Sequence, residues 1–290
     1  MKLLTFDHGS GPRLGALAED SIIDLAMASE ERLPSRMREF LAQGASALHM
    51  AQALVDQGTD LAACTLEEAK VLAPILHPSK VIAIGLNYMD HCREQKIDPP
   101  KLPIIFTKFT TSIIGPGDTI EWDPALTSQV DYEVELAVVI GKKARRVPAG
   151  EALNYVAGYS ICNDVSARDL QFGDGQWVRG KSLDTFCPLG PWIVTADEIP
   201  DPQNLKIGCM VNGQPLQNST TAEMIFDVAT LIEFASNAFT LLPGDVIITG
   251  TPDGVGVFRD PKVFLKDGDD VTVAIDGIGQ MTNPCREVRG

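Results

Sequence analysis

One stretch constrains this chain more than any other: Val130-Asp131-Tyr132-Glu133-Val134-Glu135-Leu136, which runs directly into Ala137-Val138-Val139-Ile140. Side chains alternate between faces on a β-strand, so Asp131, Glu133 and Glu135 share one face and Tyr132, Val134 and Leu136 the other. Neighbouring acids then stand about 6–7 Å apart at their Cα atoms. Each pair repels by about 2–3 kcal/mol at an effective dielectric of about 20. Spacing alone fits a solvated edge strand equally well. The apolar continuation points inward instead, because such runs mark strands covered on both faces. Carboxylates at the end of a covered strand need a compensating cation, and an all-oxygen set favours Mg²⁺, Mn²⁺ or Ca²⁺ over zinc.

Charge narrows the partners. Lys and Arg number 24 against 39 Asp and Glu, a net charge of −15 in 290 residues. That balance argues against nucleic acid or an anionic membrane surface, which select basic faces. No apolar run approaches the roughly 20 residues of a membrane helix. The opening Met1–His8 stretch, interrupted by Asp7, reads as a first strand and not as a leader. Six scattered cysteines without a Cys-x-x-Cys pair predict reduced, buried thiols and a cytoplasmic location. The four histidines (His8, His49, His77, His91) contain no His-x₃-His pair, so no local zinc signature is present.

Residues 1–76 read as a small α+β N-terminal domain. Strand-like pieces at Lys2–Phe6, Leu14–Ala18 and Ile22–Leu25 give way, from Pro34 to Ala69, to helical spacing of apolar residues. Pro74 and His77-Pro78 mark the boundary to a second domain over 77–290. Its strands are expected at Val81–Ile84, Leu136–Ile140, Trp192–Thr195, Leu205–Val211, Val246–Thr249 and Val271–Ile275. Helices are expected at Asn87–Gln95, Ala149–Val156, Ser166–Phe172 and Phe226–Ala238. Strands outnumber helices without alternating with them, which predicts an α+β domain around a rolled, barrel-like β core.

Other side chains have both a plain and a chemical reading. Asp164, between an apolar strand and a helix, is an N-cap or a third metal carboxylate. His91 and Glu94, three apart on a helix capped by Asn87, are an ordinary surface pair or an oriented base. Lys181 is a solubility group or, with Arg168 and Lys108, a cation for an anionic substrate. Thr249–Gly256 is a tight turn or a set of N–H donors for a carboxylate, with glycine spacing unlike any nucleotide loop. Lys266–Asp270 reads as a hairpin turn.

Taken in order, Ile84-Gly85-Leu86-Asn87-Tyr88-Met89-Asp90-His91, Asp131–Leu136, Gly158-Tyr159, Asn163–Asp169, Gly180-Lys181-Ser182 and Thr249-Gly250-Thr251-Pro252 resemble the fumarylacetoacetate hydrolase family, over roughly Pro78 to Cys285. The resemblance implies a mixed β-roll, a homodimer, and Mg²⁺ or Mn²⁺ held by Glu133, Glu135 and Asp164. It also implies a His91–Glu94 dyad on a lid segment, Lys181 near the reacting carbonyl, and Arg168, Gln171 and Thr251 as substrate contacts. Asn87 stands where the larger fumarylacetoacetases place a metal-binding aspartate, which favours a smaller, pyruvate-like acid. The leading expectation is a metal-dependent hydrolase that cleaves a carbon–carbon bond in a 2,4-dioxo acid. The alternative is a tautomerase, isomerase or decarboxylase of a 2-oxo diacid such as oxaloacetate. A non-catalytic binding protein on the same fold is the third reading.

Overall fold

The computed structural model describes residues 1–289. Its main feature is a twelve-stranded mixed sheet. Along its principal path the strands run Cys64–Thr65, Ser21–Asp24, Arg13–Ala18, Lys2–Asp7, Cys187–Thr195, Val156–Asn163, Val134–Ile140, Val246–Ile248, Val81–Gly85 and Ile104–Lys108. Lys70–Leu72 pairs beside Lys2–Asp7, and Ile113–Ile114 beside Cys187–Thr195. A second, five-stranded sheet orders Gln214–Thr220, Lys206–Val211, Asp270–Ile275, Gly279–Glu287 and Ile120–Trp122. A two-stranded piece joins Val130–Asp131 to Ser166–Ala167.

The α+β class stands, but the barrel does not. Cys64–Thr65 and Ile104–Lys108 end the large sheet without pairing to each other, so it stays open with two edges. The physical reason lies in the first residues. Lys2–Asp7 adds antiparallel to Cys187–Thr195 (Lys2 opposite Val194, Leu3 opposite Ile193) and carries the hairpin strands outward. The sheet therefore lengthens where a roll would have curled back. One of those edges is blunted by being two residues long.

Val134–Ile140 lies inside the sheet, antiparallel to both of its neighbours, and every residue in it is buried. Val134, Leu136, Val138 and Ile140 pack with Ile207, Val271 and Val273 of the second sheet and Leu231 and Ile232 of the Val228–Ala238 helix. Ala137 and Val139 join the opposite core, with Phe40, Leu41 and Ala51 from the helices Met37–Ala42 and Ala45–Val55. At about 1.5–3 kcal/mol per buried large aliphatic side chain, this two-sided burial fixes the strand's register firmly.

Several boundaries move for local reasons. The predicted 87–95 helix starts at Met89 with Tyr88 at its N-cap, because the Asn87 side chain is engaged elsewhere. Ala149–Ala152 is helical, but Leu153–Tyr155 is a 3₁₀ turn leading into the Val156–Asn163 strand. Ser166–Ala167 is a strand, and the helix after it covers Arg168–Gly173. Asp227 caps Val228–Ala238 by accepting from the Thr230 N–H.

Candidate metal centre and active site

The large sheet brings the acids together through strand register. Val134 pairs with Asn163 and Glu135 with Cys162, so Asp164 emerges beside Glu133. The Asp164 N–H donates to the Glu133 carbonyl at 2.8 Å, and the Asn163 side-chain oxygen accepts from the Glu133 N–H at 3.0 Å. Glu133, Glu135 and Asp164 are buried, and each offers an oxygen within 4.8 Å of the others. Asp164 caps no helix, since Ala167 holds that position.

Three cations surround this trio unevenly. Lys181 Nζ reaches Glu133 Oε2 at 2.7 Å and Asp164 Oδ2 at 2.9 Å. Lys108, buried, donates to the other Asp164 oxygen at 2.5 Å and to the Lys181 carbonyl. Arg168 Nη1 meets Glu133 Oε1 at 2.6 Å. Burial pushes the Glu133 carboxyl up, but Lys181 and Arg168 outweigh it and hold it at about 2. Among the described residues, Glu135 receives only the Gly250 N–H, at 2.7 Å. A positive φ of 95° at Gly250 aims that donor, a conformation that suits glycine. Burial, with Asp164 and then Glu133 beside it, pushes the Glu135 carboxyl well above the usual range.

This asymmetry tests the fit to a metal. Three hard oxygen donors converge in a buried cluster, and one of them has no cationic partner. A divalent ion with oxygen preference would match that donor set and supply the missing charge.

The remaining groups frame a cavity of about 90 Å³. Seven of the nine site residues implied by the family resemblance line it: His91, Glu133, Glu135, Arg168, Gln171, Lys181 and Thr251. Asp164 lies beneath the floor, and Glu94 stands behind His91. His91 Nδ1 is 3.1 Å from Glu94 Oε2, whose other oxygen accepts from the Gly254 N–H at 3.0 Å. Phe258 meets the His91 ring edge-on, with centroids 5.8 Å apart. Arg168 gives Nε to Asp131 and Nη1 to Gln171 and Glu133, while its buried Nη2 has no hydrogen-bond partner among the described residues. A larger cavity of about 530 Å³, against Met37, Ile75 and Leu242, holds none of these groups and is remote from the chemistry.

Two residues differ from the sequence reading, and one is new. Asn87 caps nothing. Its amide donates to the Phe226 and Thr249 carbonyls and its oxygen accepts from the Phe226 N–H, tying the residues before the Met89–Gln95 helix to those two segments. Asp131 is outside the metal trio and pairs with Arg168, which also holds Glu133. Gln217, which sequence reasoning missed, accepts from the Val134 N–H at 2.9 Å and donates to Thr251 Oγ1 at 2.8 Å. It clamps the residue between the two glutamates, and the only signal was an amide in a strand of the second sheet.

A buried carboxylate trio, two buried lysines and a histidine–glutamate pair around one cavity define an α+β protein with a candidate divalent-metal centre. The chain belongs to the fumarylacetoacetate hydrolase family. Residues 80–286 match its C-terminal fumarylacetoacetate hydrolase domain. The mitochondrial oxaloacetate tautomerase of Xenopus laevis is 49% identical over 290 residues, covering 98% of this chain and 90% of that protein. A fumarylacetoacetate hydrolase of Exiguobacterium antarcticum superposes with a TM-score of 0.88 at 39% identity, over 99% of this chain and all of that one. A maleylpyruvate hydrolase of Sphingobium sp. SYK-6, solved with manganese(II) and pyruvate, gives 0.82 at 30%, covering both chains in full.

The cytoplasmic placement does not survive this comparison, because the Xenopus relative is a mitochondrial protein. The cysteines are free and buried as expected, but unpaired thiols mark a reducing environment without specifying which compartment provides it.

Proposed function

We propose that this protein is a tautomerase of a small 2-oxo diacid of the oxaloacetate type, interconverting its enol and keto forms. The observation that carries the reading is the unpartnered Nη2 of Arg168, buried on a cavity that His91 and Lys181 also line. A buried donor without an acceptor costs about 1–3 kcal/mol, and a ligand carboxylate removes that cost. The 49% identical tautomerase supports this reading over carbon–carbon hydrolysis, which had been the leading expectation.

Arg168 Nη2 takes a substrate carboxylate, and the Lys181 ammonium provides positive charge where the 2-oxygen gains negative charge. Glu94 occupies His91 Nδ1 and leaves Nε2 as the nitrogen that accepts the proton from C3. Delivering a proton to the 2-oxygen completes enolisation, and the reverse, loss of the O–H proton and protonation of C3, completes ketonisation; one C–H and one O–H bond are exchanged and no carbon–carbon bond is broken. Phe258 limits water at His91. Glu133, Glu135 and Asp164 would hold a divalent ion, which would supply Lewis-acid charge to the side of the cavity where negative charge builds up on oxygen. The reading carries Mg²⁺ or Mn²⁺ as that ion, supported by the manganese in the Sphingobium hydrolase, and a homodimer as the family resemblance implies.

The test is to follow enol-oxaloacetate, acetylpyruvate and fumarylpyruvate by NMR with metal-loaded protein. Accelerated ketonisation of the first, with no CO₂ released and no cleavage of the others, is expected. His91→Ala should lower kcat by about 100-fold or more while Mn²⁺ affinity is retained. Efficient splitting of an acylpyruvate into two acids, or full activity without His91, contradicts the proposal.

A further inference from the structure

Asp131 is the acid of the Asp131–Leu136 segment that the metal trio does not use, and it is fully buried. Its oxygens are saturated. Oδ1 accepts from the Tyr132 and Gly256 N–H groups at 2.9 and 2.8 Å. Oδ2 accepts from the Val257 N–H at 2.9 Å and from Arg168 Nε at 2.8 Å. Four donors fill the lone pairs of a carboxylate, so no capacity remains for a metal. What those donors belong to is informative. Arg168 is the residue with the free Nη2 on the cavity, and Gly256 and Val257 open the 3₁₀ turn Gly256–Phe258. That turn presents Phe258 to the ring of His91.

The contact is built closely on both sides. A Cβ at position 256 would lie 1.7 Å from the Val263 carbonyl and 2.7 Å from Asp131 Oδ1, so the backbone reaches the carboxylate only as glycine. On the other side, Nε and Nη1 of Arg168 are fixed by Asp131, Gln171 and Glu133, which leaves Nη2 as the one corner of the guanidinium able to respond to a ligand. A planar, rigid guanidinium passes a displacement at one edge to the other.

We propose that Asp131 is a positioning residue that couples substrate capture to how firmly the site is held closed, linking Arg168 to the turn that carries Phe258. The inference rests on the reading of Arg168 as the carboxylate-binding group. Occupancy of Nη2 steadies the guanidinium, Asp131 transmits this to the Gly256 and Val257 amides, and Phe258 is held against His91 when substrate is in place.

The experiment combines amide hydrogen exchange with kinetics on Mn²⁺-loaded wild type, Asp131→Asn, Arg168→Gln and the double variant, with malonate as an inert dicarboxylate. In the wild type, malonate should slow exchange at Gly256 and Val257. Arg168→Gln should keep the malonate-free protection, because Asp131 still holds both amides, but gain nothing from malonate. Asp131→Asn should speed exchange there at least tenfold and raise KM for enol-oxaloacetate at least tenfold, with Mn²⁺ affinity within threefold of wild type. In the double variant KM should not exceed that of Arg168→Gln alone by more than twofold, a non-additivity that mere structural damage would not produce. Wild-type KM and exchange in Asp131→Asn, or KM effects that multiply, overturn the coupling. Should Asp131→Asn fail to fold, Arg168→Gln decides alone: continued malonate protection at 256 and 257 overturns the proposal. A wild type that binds malonate but leaves enol-oxaloacetate unchanged sinks the tautomerase reading, while the amide measurements still decide the role of Asp131.

Discussion

Glu135 is the residue on which the site's electrostatics turn. Glu133 and Asp164 are matched by lysines and an arginine, but Glu135 has a single backbone donor and two acidic neighbours. Glu135→Gln keeps an oxygen for the Gly250 N–H and removes the crowded charge. The metal-free variant should therefore melt about 2–4 °C above metal-free wild type. Its Mn²⁺ affinity should fall by at least ~100-fold, since one of three anionic ligands is gone. Differential scanning calorimetry and titration calorimetry on the same samples check both halves. Much of this was visible in the sequence, because alternation places Glu133 and Glu135 on one side and the apolar run after them implies burial. The partners were less visible. Lys108 and Gln217 act from strands remote in the chain, and no local pattern marks a lysine or an amide as turned inward.

Among the elements, the helix Met89–Gln95 is the one whose attachment is most tunable. It is held by Glu94 on the Gly254 N–H, by Arg93 on Glu223 at 2.8 Å, and by a bond from the Ser219 hydroxyl to Asp90. Beneath it, burial, then Asp90 and Glu94, raise the Asp253 carboxyl above the ordinary aspartate value, with His91 opposing. The folded protein thus binds this proton more tightly than the unfolded chain does. The contribution favours folding below the ordinary carboxylate range and fades as pH rises through the elevated value. Asp253→Asn should accordingly raise Tm by about 1–2 °C at pH 7, a modest figure because the group is partly exposed and screened. It should leave Tm unchanged near pH 3, where aspartate is already neutral; a scan of Tm against pH compares them. The sequence reading places a helix over Asn87–Gln95, and the structure starts it two residues later, at Met89. An Asn before a helix reads as a cap, and only tertiary contacts show that Asn87 spends its amide on Phe226 and Thr249.

At the level of the whole molecule, the open sheet joins the first residues to the site. We take the boundary near residue 77 as a division of chain organisation and not of cooperativity. Lys2–Asp7 closes the edge of Cys187–Thr195, and one core contains Leu3, Phe40, Ala137 and Val139 together. A fragment of residues 77–290 should fail to form a native, soluble protein, whereas the complete chain should unfold in a single transition; circular dichroism and gel filtration distinguish the two. Strand content and the α+β class were legible from turn residues and apolar runs. Closure was not, because a barrel and an open sheet bury the same alternating residues and differ only in whether the end strands meet.

The same pairing sets a timetable for synthesis. Leu3, whose partner Ile193 is encoded far downstream, leaves the ribosome long before that residue exists. At the usual 5–20 residues per second, the wait is about 10–40 s. Throughout it, the nascent chain carries the Lys2–Asp7 segment as a greasy, hydrogen-bond-hungry ribbon, so how well a cell makes this protein depends on what shelters that ribbon until its mate arrives.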